Sequence, residues 1–115
     1  AVDFDDKCLD VAYEIAAMNG IGRDRYTVLA GDILTDEALK ARIGGGYDIV
    51  LANIVADVII ALAPAVRPLL KAGGYFLCSG IIDDRAEEVA GKLRSAGLTI
   101  QETYSADGWF SYLCR

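Results

Sequence analysis

The hydrophobic pattern is densest at Ile49-Val50-Leu51-Ala52, which follows the breaker Gly44-Gly45-Gly46 and the pair Tyr47-Asp48. An unbroken, β-branched run of this length after turn residues predicts a strand over 47–53, covered on both faces in a parallel sheet. Before it, Ala1–Phe4 reads as the end of a strand. Asp5 or Asp6 then caps a predicted helix reaching about Asn19, with Gly20 just past its end. On that helix Cys8, Val11, Ile15 and Met18 share one face and Asp6, Asp10 and Glu14 another, so Met18 is expected in the core. Tyr26–Ala30 is β-rich and closes at Gly31-Asp32, and Thr35-Asp36-Glu37 caps a short helix to about Ile43.

After the central run, Val55–Ala63 reads as an apolar helix that Pro64 either ends or follows with a second helix. Lys71-Ala72-Gly73-Gly74 reads as a turn and Tyr75–Ser79 as the next buried strand. Asp83 caps a helix to about Ala96, with Val89, Ala90 and Leu93 inward and Glu88 paired to Lys92 outward. Leu98–Tyr104 and Trp109–Cys114 flank Ala106-Asp107-Gly108, a hairpin signal. The order β-α-β-α-β-α-β-α-β-β predicts an α/β, doubly wound and mostly parallel sheet whose last two strands form an antiparallel hairpin.

The 115 residues allow one domain at most, expected over 1–115, and 54% hydrophobic with 24% charged residues is globular composition. The net charge of −6 argues against a broad nucleic-acid surface. Cys8, Cys78 and Cys114 lack metal-ligand spacing, and there is no histidine, so the thiols are expected to be small apolar side chains in a reducing compartment. No run approaches the ~20 apolar residues of a membrane span. The chain is expected to be soluble and cytoplasmic.

Asn53 ends the central strand, and in open α/β sheets ligands sit beyond the carboxyl ends of the strands. It is therefore at the mouth of any site, or it caps the helix that follows. Three further stretches bear on this. Val2-Asp3-Phe4-Asp5 followed by a helix ending Met18-Asn19-Gly20, and Gly31-Asp32-Ile33-Leu34, resemble the second strand, its helix and the adenine-holding segment of class I methyltransferases that use S-adenosylmethionine. The run 48–57 with Leu69-Leu70-Lys71-Ala72-Gly73-Gly74, Leu77-Cys78-Ser79-Gly80-Ile81 and Asp107-Gly108-Trp109 is similar to the bacterial methyltransferases of ribosomal large-subunit protein eleven. The resemblance covers nearly the whole chain. It implies a Rossmann-like fold whose first strand and glycine-rich loop, and a recognition domain before them, lie outside this sequence. The chain is then expected to be a truncated catalytic domain, inactive alone.

The resemblance implies roles residue by residue. Asp3 would hold the cofactor ribose through its two acceptor oxygens, with Asp5 as the alternative; the plainer role of Asp3 is capping the next helix. Asp32 would accept from the adenine amine and the Ile33 N–H would address the ring, unless Asp32 is a turn aspartate. Asn53 would sit beside the sulfonium methyl and orient an incoming amine. Ser79 and Trp109 would line the substrate mouth, or be a strand-end hydroxyl and a core residue. Methyl transfer to an amine is a displacement by a neutral lone pair, so alignment matters more than a strong base and the lack of histidine is no objection.

The expected partner is a ribosomal large-subunit protein, with no direct nucleic acid and no membrane. Two other readings remain at this level: a non-catalytic interaction domain of the same fold, and a nicotinamide-dependent Rossmann domain, against which the terminal hairpin and the Asn53 string count. With the first strand absent, strand 47–53 is expected to keep a free edge. Either the sheet closes directly across the gap, or a homodimer forms through that edge.

Overall fold

The computed structural model describes residues 1–115, which divide into two compact units, Ala1–Ile43 and Gly44–Arg115.

In the first unit, β1 (Val2–Asp3) pairs in parallel with β2 (Leu29–Ala30), Val2 opposite Leu29 and Asp3 opposite Ala30. The expected strand Tyr26–Ala30 shortens to these two residues because pairing extends only as far as its partner. The ladder is lengthened slightly by the Ala1 amine donating to the Thr27 carbonyl (2.7 Å) and the Leu29 N–H donating to the Ala1 carbonyl (2.9 Å). Lys7, just before helix α1 (Cys8–Met18), is already helical and gives no side-chain cap, and Asp5 does the capping expected of Asp5 or Asp6: its carboxylate accepts the Lys7 N–H at 3.0 Å and its carbonyl the Cys8 N–H at 3.1 Å. It ends with Gly20 N–H on the Ala17 carbonyl and Ile21 N–H on the Ala16 carbonyl, the paired closure typical of a helix followed by glycine.

The apolar stripe of α1 is not core. Met18 is 80% exposed, and Val11 and Ile15 are exposed with it. Two-residue strands offer no sheet face wide enough to cover that stripe. The helix packs instead through Ala16 and Tyr13, whose hydroxyl accepts the Val28 N–H at 2.9 Å and whose ring meets Tyr26 edge-on. Helix α2 (Glu37–Ile43) is capped as expected, the Asp36 carboxylate accepting the Leu39 N–H at 3.0 Å while Leu39 is buried.

The second unit contains β3 (Tyr47–Asn53), α3 (Ala56–Leu69), β4 (Leu70–Ile82), a single 3-10 turn (Asp83–Arg85), α4 (Ala86–Ser95), β5 (Ile100–Ala106) and β6 (Trp109–Cys114). Its sheet has the order β3-β4-β6-β5, parallel between β3 and β4 and antiparallel elsewhere. Asp107 and Gly108, at φ 53° and 81°, make the tight β5–β6 hairpin. Left-handed values at both central residues match the twist of the flanking strands. β1 and β2 form a two-stranded sheet, and β3 is an edge strand of the four-stranded one.

The core of this unit is a row on β4 (Phe76, Cys78, Ile81) with Tyr112 and Cys114 of β6, against Ile59, Leu62, Ala63 and Val66 of α3 and Val89, Ala90 and Leu93 of α4. Cys78 and Cys114 are unpaired and buried, and desolvation pushes their thiols up to about 11 and about 12, so they act as neutral apolar groups. The Tyr112 hydroxyl donates to the Ala86 carbonyl at 2.8 Å and ties β6 to α4.

Four expectations change here. Pro64 neither ends nor starts a helix; α3 runs through it to Leu69. Pro64 lies on the exposed side, and the stripe 59-62-63-66 is buried on both sides of it. Prolines inside a helix cost about 3 kcal/mol each and α3 holds both Pro64 and Pro68, a cost that burial of three large aliphatic side chains at about 1.5–3 kcal/mol each offsets. The turn Lys71–Gly74 is absorbed into β4 as a wide bulge, because Leu70 lies opposite Tyr47 and Tyr75 opposite Ile49. Strand β3 is covered on one face only: Ala52 is buried, while Ile49 and Leu51 are 59% and 70% exposed. On α4, Glu88 pairs with Arg85 rather than Lys92.

Candidate functional site

In the first unit, the parallel register places Asp3 and the Gly31-Asp32-Ile33 segment at the same, carboxyl end of two adjacent strands, and the Gly31 N–H donates to the Asp3 carbonyl at 3.0 Å. Asp3 is half-buried, and its Oδ1 accepts the Asp5 N–H at 3.0 Å. Its plainer role is thus a local turn and not a helix cap. Asp5 in turn accepts the Lys7 N–H at 3.0 Å. The Cys8 thiol beside them is raised, by partial desolvation first and then by the Asp3 and Asp5 carboxylates. Asp32 is exposed and closes a turn through Oδ1, which accepts the Leu34 N–H at 2.9 Å, leaving its second oxygen open. The adjacent Ile33 N–H has no acceptor in the chain. An open carboxylate oxygen beside an unused N–H is a donor–acceptor edge of the kind an aminated heterocycle matches. Two surface clefts of this unit run along α1 and residues 21–26 and are lined by none of these groups.

In the second unit, Asn53 is the last residue of β3 and lies opposite Ser79 of β4. It does not cap α3, whose N-cap is Val55 with no side-chain cap bond. Ser79 is half-buried and is not at a strand end, because β4 continues to Ile82. Between Cys78 and Ile81 the ladder to β6 slips: Cys78 faces Tyr112 and Ile81 faces Phe110, leaving one extra residue on β4. That bulge at Ser79-Gly80 keeps Ile81 in the buried row after Phe76 and Cys78, and it occurs where such bulges commonly re-aim side chains. Trp109 is 54% exposed and so is not core. It lies opposite Ile82, three residues beyond Ser79, or roughly 10 Å along the strand. The structure therefore brings Asn53 and Ser79 together directly and sets Trp109 further along.

Two residues not singled out in the sequence join this end. At Gly80, φ 82°, a Cβ would stand 2.8 Å from the Asn53 side-chain oxygen and 3.2 Å from the Ile54 carbonyl, so any side chain there requires the Asn53 carboxamide to move. Arg85 donates to Asp57 at 2.6 Å and to Glu88 at 3.0 Å, tying the first turn of α3 to that of α4. Those two carboxylates, Glu88 foremost, hold the guanidinium pKa above its ordinary value. The only sequence signals were a glycine directly after Ser79 and a cation 28 residues from its partner.

A family model for ribosomal protein L11 methyltransferase matches residues 1–115. A ribosomal protein L11 methyltransferase of Desulforamulus reducens is 44% identical over 114 residues, covering 99% of this chain and 35% of that protein. One from Agathobacter rectalis is 38% identical over 108 residues, covering 93% and 33%. The chain thus spans about a third of the length of these curated relatives. Among solved structures, a ribosomal protein L11 methylase of Lactobacillus delbrueckii subsp. bulgaricus superposes with a TM-score of 0.86 at 25% identity, over 100% of this chain and 55% of that one. An Aeropyrum pernix fibrillarin with natively bound S-adenosyl-L-methionine shares the fold, with a TM-score of 0.76 at 16% identity over 99% of this chain and 54% of that one. The α/β fold is that of Rossmann-like methyltransferases, and by a match across its full length this chain belongs to the ribosomal protein L11 methyltransferase family.

Proposed function

We propose that this chain is part of the catalytic domain of an S-adenosylmethionine-dependent protein N-methyltransferase of the cytoplasm. Its acceptors would be amino groups of ribosomal protein L11. Residues 1–115, matched as one continuous stretch, belong to a single methyltransferase domain in this reading. The observation that carries it is the carboxyl end of the β1–β2 pair, where Asp3 and Asp32-Ile33 emerge from adjacent parallel strands.

Asp3 would hold the ribose hydroxyls there, with Asp5 the weaker choice. The open oxygen of Asp32 would accept from the adenine amine, and the unused Ile33 N–H would donate to the ring. Bound S-adenosylmethionine supplies an electrophilic methyl on its sulfonium. The Asn53 carboxamide and neighbouring carbonyls accept from the incoming amine and aim its lone pair, so no side-chain base is needed once the amine is neutral. Ser79 and Trp109 flank the acceptor. The net charge of −6 suits a basic protein segment better than RNA as the direct partner.

The test is methyl transfer by the full-length protein that carries this chain, with methyl-labelled S-adenosylmethionine, ribosomal protein L11 and ribosomal RNA as separate acceptors. Label in the protein is the expected result. Label in the RNA, or none with folded enzyme, would overturn the reading.

A further inference from the structure

The β4 bulge carries an inference about Gly80, which rests on the reading of Asn53 given above. Gly80 has a left-handed φ of 82°, lies directly after the residue paired with Asn53, and has the Asn53 side-chain oxygen where its own Cβ would be. No hydrogen bond holds that oxygen. The Asn53 side-chain oxygen thus occupies the space that a side chain at position 80 would need. The Ile54 carbonyl and N–H, 3.2 and 3.6 Å from the same point, belong to the backbone that carries Asn53 out of β3.

We infer that Gly80 is a positioning residue for Asn53: the missing side chain at the bulge leaves the Asn53 carboxamide and the Ile54 peptide the space they occupy at the carboxyl end of β3. Any larger residue displaces the group that aims the acceptor amine, while the contacts to the nucleoside stay as they are. Gly91 is the control, since it lies exposed on α4 with no atom within 4 Å of its Cβ position.

The test uses the full-length protein carrying this chain. Gly80→Ala is expected to shift the Asn53 side-chain amide resonances, and Gly91→Ala to leave them in place. In turnover, Gly80→Ala should lower kcat by roughly tenfold to a hundredfold while the KM for S-adenosylmethionine stays within about twofold, as for a misplacement near 1 Å. Backbone strain alone would also lower the melting temperature, so Asn53→Gly/Gly80→Ala is compared with Gly80→Ala. Removing the Asn53 side chain should raise the melt of the alanine variant, and should restore folding if that variant does not fold. Unmoved Asn53 resonances, or a double variant no more stable than Gly80→Ala, overturn the inference. If the wild-type protein transfers no methyl group, the functional reading fails by itself, and the resonances and melts still decide whether Gly80 positions Asn53.

Discussion

Phe76→Ala is expected to destabilise residues 44–115 by about 3–5 kcal/mol, the range for removing a buried aromatic ring. The side chain is fully buried on β4, between Val50 of β3 and Cys114 of β6 in the sheet register. Its strand is paired on both sides, so the backbone has little freedom to collapse into the space left. A domain of this size has total stability on the order of 5–15 kcal/mol, and the variant should be near its unfolding threshold at 37 °C. Leu51→Ala, on the exposed face of the neighbouring strand, is expected to change stability by less than about 1 kcal/mol. Urea denaturation followed by circular dichroism compares the two. A Phe76→Ala loss as small as that of Leu51→Ala would show that the row Phe76-Cys78-Ile81 is not the centre of this unit.

The second large effect concerns the ligand. In the full-length protein, Asp3→Ala is expected to weaken S-adenosylmethionine binding by about 1.5–3 kcal/mol, the value of hydrogen bonds to a charged group, or roughly ten- to 150-fold in Kd. Part of any loss could come from the turn, since Asp3 Oδ1 also accepts the Asp5 N–H. Asp3→Asn retains a side-chain oxygen for that turn and gives up the charge and one acceptor. It should recover stability fully and affinity only in part. Calorimetric titration beside a thermal melt separates the two contributions. Unchanged affinity in Asp3→Ala transfers the ribose role to Asp5 or removes it.

The elements that were legible in the sequence are those whose signals are local. Strand β3 matched 47–53 because three glycines precede it and a polar residue ends it, and the hairpin followed from Asp107-Gly108. Helix α4 was legible from Val89, Ala90 and Leu93. The misreadings share a cause, namely that burial and pairing are decided by what lies alongside. Ile49 and Leu51 have the composition of a covered strand but are 59% and 70% exposed, and Met18 has the spacing of a core residue but is 80% exposed. Pro64 and Lys71–Gly74 carry the local signals of a helix boundary and a turn, yet α3 and β4 run through them.

The site divides the same way. Asp3, Asp32 and Asn53 stood out as polar residues ending strands, and the resemblance supplied their roles. Gly80 and Arg85 stayed silent because their significance lies in neighbours that the fold brings up from β3 and α3.

The central claim is that the carboxyl ends of β1 and β2 hold the nucleoside of S-adenosylmethionine. A crystal structure of the full-length protein with S-adenosylhomocysteine tests it most directly. The account predicts both ribose hydroxyls on the Asp3 carboxylate, the adenine amine on Asp32 and a ring nitrogen on the Ile33 N–H, each at normal hydrogen-bond distance. A nucleoside bound elsewhere, with Asp3 and Asp32 engaged only in their turns to Asp5 and Leu34, would contradict it.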